Sequence, residues 1–172
     1  KGNYNYSLTP ERYATFLKEL FDQWYQDIKS RNMVSIRFFD NLVRMAMGYE
    51  PGACEMKGRC NCQFIIEANG EVYPCDFYVI DQWSLGNIKN NSLIDLYNSQ
   101  TCQKFIEDSK EINSECKRCK WFRLCRGGCR RNKEPFVDNK PKLDYFCSSY
   151  KEFFDYAYDR ITELAMIFSP RN

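Results

Sequence analysis

Four cysteines stand close together as Cys116-x2-Cys119-x5-Cys125-x3-Cys129, with Cys147 beyond them, and three more lie upstream at Cys54, Cys60 and Cys75. Thiols placed in this way suffice for two four-coordinate metal centres. Thiolates are soft donors that suit zinc or iron–sulfur clusters, whereas carboxylates and carbonyls suit hard cations. The 172-residue chain contains no histidine. That removes mixed Cys/His zinc sites, a His-based catalytic triad and any imidazole base. A metal must be held by sulfur, and proton transfer falls to Asp, Glu, Lys, Tyr or Cys.

The ten cysteines fall below the density of a small secreted disulfide scaffold. A chain of this length can also build a core without covalent staples. A reduced, cytoplasmic thiol framework is therefore preferred over disulfides. No apolar run approaches the ~18 residues of a membrane span, and Lys1-Gly2-Asn3-Tyr4 does not read as a signal peptide. No membrane partner is expected. The formal net charge of +2 makes no case for nucleic acid. Locally, however, Lys117, Arg118, Lys120, Arg123, Arg126, Arg130, Arg131 and Lys133 crowd the cysteine segment. With Trp121 and Phe122 as stacking platforms they could form a nucleic-acid patch. The favoured reading is compensation of negatively charged, thiolate-bound centres, and no nucleic-acid partner is expected.

These thiols need elements to position them. Thr9-Pro10 is a helix start, a hydroxyl N-cap followed by proline at the first helical position. Tyr13, Phe16, Leu17, Leu20, Phe21, Trp24 and Ile28 then recur at helical spacing, as far as Ser30-Arg31-Asn32. Met33 to Phe38 reads as a short strand, and Asp40 to Met47 as a short helix stopped by Gly48 and Pro51. Gln63 to Glu67 and Glu71 to Cys75 flank Asn69-Gly70, a strong hairpin signal. Ser92 to Asn98 and Thr101 to Asp108 predict short helices. Segment 116–131 reads as irregular, with Gly127-Gly128 allowing close backbone approach to a metal centre. Phe146, Tyr150, Phe153, Phe154, Ala157, Ile161, Leu164, Ala165 and Phe168 mark a long final helix. Both aromatic stripes are assigned to the core. The fold class is α+β, with small antiparallel hairpins, short helices and a long C-terminal helix arranged around two metal-cluster sites.

Read together, Cys60-x9-Gly70-x4-Cys75, Cys116-x2-Cys119-x5-Cys125-x3-Cys129 and Cys147 resemble the seven-cysteine pattern of the SPASM domain, the C-terminal extension of a group of radical SAM enzymes. The added Cys54, Cys75-Asp76-Phe77-Tyr78, Leu85-Gly86-Asn87-Ile88, Cys119-Lys120-Trp121-Phe122-Arg123-Leu124-Cys125 and Gly127-Gly128-Cys129-Arg130-Arg131 are similar to the anaerobic sulfatase-maturating enzymes. The resemblance implies residues 1–48 as the last helix and strand of a partial barrel plus linker, and 49–172 as the SPASM domain. It also implies two [4Fe–4S] clusters, the first on Cys54, Cys60, Cys75 and Cys129, the second on Cys116, Cys119, Cys125 and Cys147. Spacing alone leaves other groupings of the eight thiols open. Cys62 and Cys102 fall outside the pattern and read as ordinary buried thiols.

In the resembling family the aspartate at Asp76 is the general base for the substrate side chain. The plainer reading is a turn carboxylate accepting backbone N–H groups. Beside a dianionic cluster its pKa should rise, which suits a proton acceptor. The implied reaction oxidises a cysteine or serine of a sulfatase to Cα-formylglycine, with the first cluster taking up the electron and the second passing it on. S-adenosylmethionine and a third cluster belong to an N-terminal radical SAM barrel. Its Cys-x3-Cys-x2-Cys motif is not found, since Cys125-x3-Cys129 is followed by Asn132 where the third cysteine would stand. Alone, this chain is expected neither to bind nor to cleave S-adenosylmethionine. A sulfatase polypeptide and a ferredoxin or flavodoxin are the expected partners, and a monomer the expected state. The alternatives are a SPASM domain from another peptide-modifying radical SAM enzyme and a zinc-binding interaction module, since four thiolates suit zinc equally well. Zinc could also enter an aerobically prepared fragment.

Overall fold

Thr9 caps the first helix as its hydroxyl predicts, accepting the Arg12 amide at 3.3 Å, and α1 runs over Pro10–Lys29. A computed structural model describes residues 4–137 and 140–169. After α1 come α2 (Arg37–Ala46), a 3-10 turn (Cys54–Met56), β1 (Ile65–Ile66), β2 (Glu71–Tyr73), 3-10 turns at Asp76–Tyr78 and Asp81–Trp83, and β3 (Gly86–Asn87). Then follow α3 (Leu93–Asn98), α4 (Gln100–Ser109), α5 (Ser114–Lys117), α6 (Phe122–Cys125), α7 (Arg130–Lys133) and α8 (Cys147–Phe168). No described helix is long and apolar enough to cross a membrane.

One layer is helical. Leu17, Phe21 and Trp24 of α1, Phe39 and Leu42 of α2, and Phe153, Phe154, Ala157, Ile161 and Leu164 of α8 share one core. Phe21, Phe39 and Phe153 meet pairwise with ring centroids 5.2–5.8 Å apart. Such rings contribute area burial plus a geometric increment of about 0.5–1.5 kcal/mol per pair. The rim is polar: Lys18–Glu152 at 2.6 Å, Arg160–Asp22 at 2.7 Å and Lys29–Glu163 at 2.7 Å. That order of pairing shows α1 and α8 running in the same direction. Two aromatics of the expected stripes lie outside this core, since Phe16 and Phe168 are exposed.

The expected strand at Met33–Phe38 does not form. The chain is extended only to Ile36, and α2 starts at Arg37, three residues before the expected start. The β-branched Val34 and Ile36 gave the strand signal, but Phe39, Leu42 and Val43 sit at helical spacing and bury against α1 and α8. The Trp24 indole N–H donates to the Val34 carbonyl at 2.9 Å and pins the connection.

The second layer is a three-stranded antiparallel sheet in the order β1-β2-β3, with Ile65 opposite Tyr73 and Val72 opposite Gly86. Asn69-Gly70 makes the turn, Gly70 at a φ of +93°. The third strand, two residues long, has no alternation a sequence could reveal. Beneath the sheet, Val72, Leu85, Leu96, Cys62 and Cys102 form a small second core, and Tyr78, Trp83 and Phe105 a third.

Candidate metal centres

The sheet brings the first thiols together. Cys60 precedes β1 and Cys75 follows β2, so the hairpin sets them side by side, and the Gln63 amide bonds the Pro74 carbonyl at 2.8 Å beyond the strands. The Ser109 hydroxyl, at the end of α4, accepts the Cys60 amide at 2.8 Å. Cys54 starts the turn at 54–56, and Cys129 stands immediately before α7. Cys54, Cys60, Cys75 and Cys129 line one open cleft, together with Asp76 and Arg130.

Three of the remaining thiols come from the expected irregular segment, which instead forms three single-turn helices, and the fourth is on α8. Asn113 caps α5, which carries Cys116; Cys119 follows it, and Cys125 ends α6. Asp144 starts α8 by accepting the Phe146 amide at 2.8 Å, placing Cys147 at its first turn. Cys116, Cys119, Cys125 and Cys147 line a separate pocket, walled by Trp121, Tyr150 and Phe154. Tyr150 borders both spaces.

Between the two quartets the chain turns through Gly127 and Gly128, at φ of +89° and +73°. A Cβ on Gly128 would lie 2.3 Å from the Asp144 carboxylate. A Cβ on Gly58 would lie 2.9 Å from the Arg126 carbonyl, so the loops of the two quartets also meet there. Glycine is required at both points by φ and by space.

All ten cysteines are free thiols. Burial raises the pKa of Cys54, Cys60, Cys116, Cys129 and Cys147, and pushes Cys75 and Cys125 up to about 12. Neighbouring thiols add to the rise: Cys129 and Cys54 act on Cys60, and Cys147 and Cys116 act on Cys125. Such thiols ionise only if positive charge accompanies them.

The donor set suits a sulfur-bound metal group. Among the described residues no three Cys, Asp or Glu side chains converge closely enough to hold a single ion. Each quartet lines a pocket of its own. Trp121, which lines one pocket, and Arg130, which lines the other, each carry a buried N–H without a hydrogen-bond partner, and Arg130 Nε has Glu134 as an ion-pair neighbour at 3.6 Å. Buried orphan donors are uncommon and suit an anionic neighbour. Of the crowded cations, Arg130 and Lys133 are buried, while Arg126 pairs with Glu50 at 2.6 Å and Lys120 with Asp155.

Asp76 lies exposed at the rim of the first cleft, where the Cys75 thiol donates to its carboxylate at 3.2 Å. Cys62 and Cys102 lie apart, buried in the second core, and burial together with the Cys62 contact pushes Cys102 up to about 12. Asp144 was not singled out from sequence. It is buried, and its charge raises the thiol pKa of Cys125, Cys129 and Cys147. Its position three residues before Cys147, as a helix-start acid, was the available signal.

Residues 54–120 match the SPASM family, described as an iron–sulfur cluster-binding domain; the match ends before Cys125, Cys129 and Cys147. A cysteine-type anaerobic sulfatase-maturating enzyme of Clostridium perfringens (strain 13 / Type A) is 49% identical over 165 residues, covering 96% of this chain and 45% of the relative. A serine-type enzyme of Bacteroides thetaiotaomicron is 30% identical over 154 residues, covering 88% of this chain and 37% of the relative. A solved structure of native anSMEcpe with bound AdoMet and Cp18Cys peptide superposes with a TM-score of 0.94 at 48% identity, over 98% of this chain and 47% of that one. The chain thus spans less than half the length of the relatives it matches. Residues 54–120 thus match the SPASM iron–sulfur cluster-binding domain, and nearly the whole chain is similar to part of the anaerobic sulfatase-maturating enzymes.

Proposed function

We propose that this chain is the C-terminal auxiliary-cluster part of a radical SAM enzyme that oxidises a cysteine or serine of a sulfatase to Cα-formylglycine. The observation that carries the reading is the sorting of eight thiols into two quartets, each around its own space. Cys54, Cys60, Cys75 and Cys129 would hold one [4Fe–4S] cluster, and Cys116, Cys119, Cys125 and Cys147 the other. When bound, these clusters supply acceptors for the electron that leaves the substrate as the aldehyde forms. Asp76, at the rim of the first cleft, takes the proton from the substrate thiol or hydroxyl. Arg130 and Lys133 offset negative charge, and Trp121 and Phe154 keep water from the second quartet.

On this reading residues 1–48 form the end of a barrel and its linker, and 49–172 the auxiliary domain, with α1 docked on α8 to fix one against the other. S-adenosylmethionine and a third cluster belong to the rest of the enzyme. The proposed partners are a sulfatase polypeptide and a small electron carrier of the ferredoxin or flavodoxin type, and the proposed setting is a cytoplasmic monomer. The bound peptide in the homologous structure supports a polypeptide substrate.

Anaerobic reconstitution tests the reading. About eight iron and eight labile sulfide per chain are expected from two such clusters. A colourless protein holding two zinc ions would instead establish a zinc module. In the full-length enzyme, Asp76→Asn should keep its iron while peptide oxidation falls by about 10²-fold or more. Unchanged turnover would remove Asp76 from the reaction.

A further inference from the structure

Arg130 follows Cys129 directly and opens α7, yet its side chain is only 6% exposed. Its guanidinium lies against four aromatic rings: Trp83 at 4.8 Å, Phe105 at 4.9 Å, Phe136 at 5.1 Å and Tyr78 at 5.5 Å. Nη1 donates to the Phe105 carbonyl at 2.9 Å. Nε is buried and has no hydrogen-bond partner. Glu134, 3.6 Å from Nε, and Asp108, 3.8 Å from Nη2, stand beyond hydrogen-bond length and are partly exposed. Cys60 and Cys75 pack against the Tyr78, Trp83 and Phe105 rings, and Arg130 borders the cleft of the first quartet.

A neutral side chain could fill this aromatic box without the desolvation that a cation incurs. Aromatic faces hold a cation in place but leave its charge in force. Its two ion-pair partners, Glu134 and Asp108, are 39% and 32% exposed and contact it beyond hydrogen-bond length, so they offset its charge only in part. What remains beside Cys129 is a fixed positive charge in a low-dielectric setting.

We propose that Arg130 is a positioning residue that sets the reduction potential of the first cluster. The inference rests on the reading that Cys54, Cys60, Cys75 and Cys129 hold an iron–sulfur cluster. Taking up one electron makes that cluster more negative by one charge, and a nearby buried cation favours the more negative state. Arg130 therefore makes the first cluster easier to reduce than it would be without the charge. No bond is made or broken; the electron comes from the substrate in turnover and from a chemical reductant in the test.

The test is a potentiometric titration of the reconstituted chain followed by electron paramagnetic resonance. Cys116→Ser protein, with its second site disabled, identifies the first cluster's signal. Arg130→Met should disfavour reduction of the first cluster at least tenfold, about 59 mV to lower potential for one electron. The second cluster should stay in place, and Arg130→Lys should recover most of the shift. A full-iron Arg130→Met protein with an unmoved first potential, or with both potentials moved alike, overturns the proposal. Should Arg130→Met lose iron, Asp108→Asn takes over: removing that counter-charge should raise the first potential, and no rise overturns the proposal. A wild-type chain that assembles no iron–sulfur cluster refutes the underlying reading and is recognised before any variant is compared.

Discussion

The helical layer and the thiol layer are stabilised on different principles. In α1, α2 and α8, long elements bury aromatic side chains against one another, and fully buried Phe21, Phe39 and Phe153 touch across all three helices. In the thiol layer α5, α6 and α7 are single turns of four residues each, too short to persist alone. Polar and charged groups are buried there, Arg130, Lys133 and Asp144 among them. One layer is held by apolar area. The other gathers sulfur and charge that become favourable only around a metal group. The difference separates what packing can do unaided from what a cofactor must complete.

Removing the metal should break the comparison most visibly. Under anaerobic chelation the thiol layer is expected to lose structure, a change on the order of 10 kcal/mol by analogy with structural metal sites. Limited proteolysis should then cut within residues 51–63 and 114–147 while α1 and α8 stay protected. Simultaneous cleavage of both layers would show that they share one cooperative unit. Phe153→Ala attacks the other side, leaving a cavity among Phe21, Phe39 and Phe154. It should cost about 3–5 kcal/mol in denaturant unfolding of the loaded protein without changing iron content. Iron lost in step with stability would tie cluster retention to the helical core.

The smallest effect concerns the rim of the helical layer. Burial opposes ionisation of Asp22, but the Tyr156 hydroxyl and Arg160 guanidinium outweigh it and hold its carboxyl below the ordinary 3.8. A lowered folded pKa means stability present above 3.8 and lost as pH falls through the folded value. Asp22 is 45% exposed, so Asp22→Asn at neutral pH should cost only about 0.2–1 kcal/mol. A substantially larger loss would show that this rim, as well as the aromatic core, holds α1 to α8.

Legibility followed the same division. The stripes of α1 and α8 repeat over 20 and 22 residues, long enough for period to fix both helices. Even so, the stripe in α1 was drawn too wide, because Phe16 faces solvent where an aromatic was assigned to the core. Short elements escaped. The pair Val34 and Ile36 outweighed the start of α2, and Gly86–Asn87 carried no strand signal. In the thiol layer, residue types announced sulfur-bound metal, while spacing left the grouping of the thiols open; that grouping came with the resemblance. The aromatic box around Arg130 was illegible because Tyr78, Trp83, Phe105 and Phe136 come from separate segments and meet only in three dimensions.

Gly128 sits where any such grouping becomes constrained. One added methyl group there, next to Cys129 in the chain, would push on Asp144, whose carbonyl and carboxylate start the helix carrying Cys147. The two quartets are therefore mechanically joined at this point. Neither can be retuned at this junction, by drift or by design, without retuning the other.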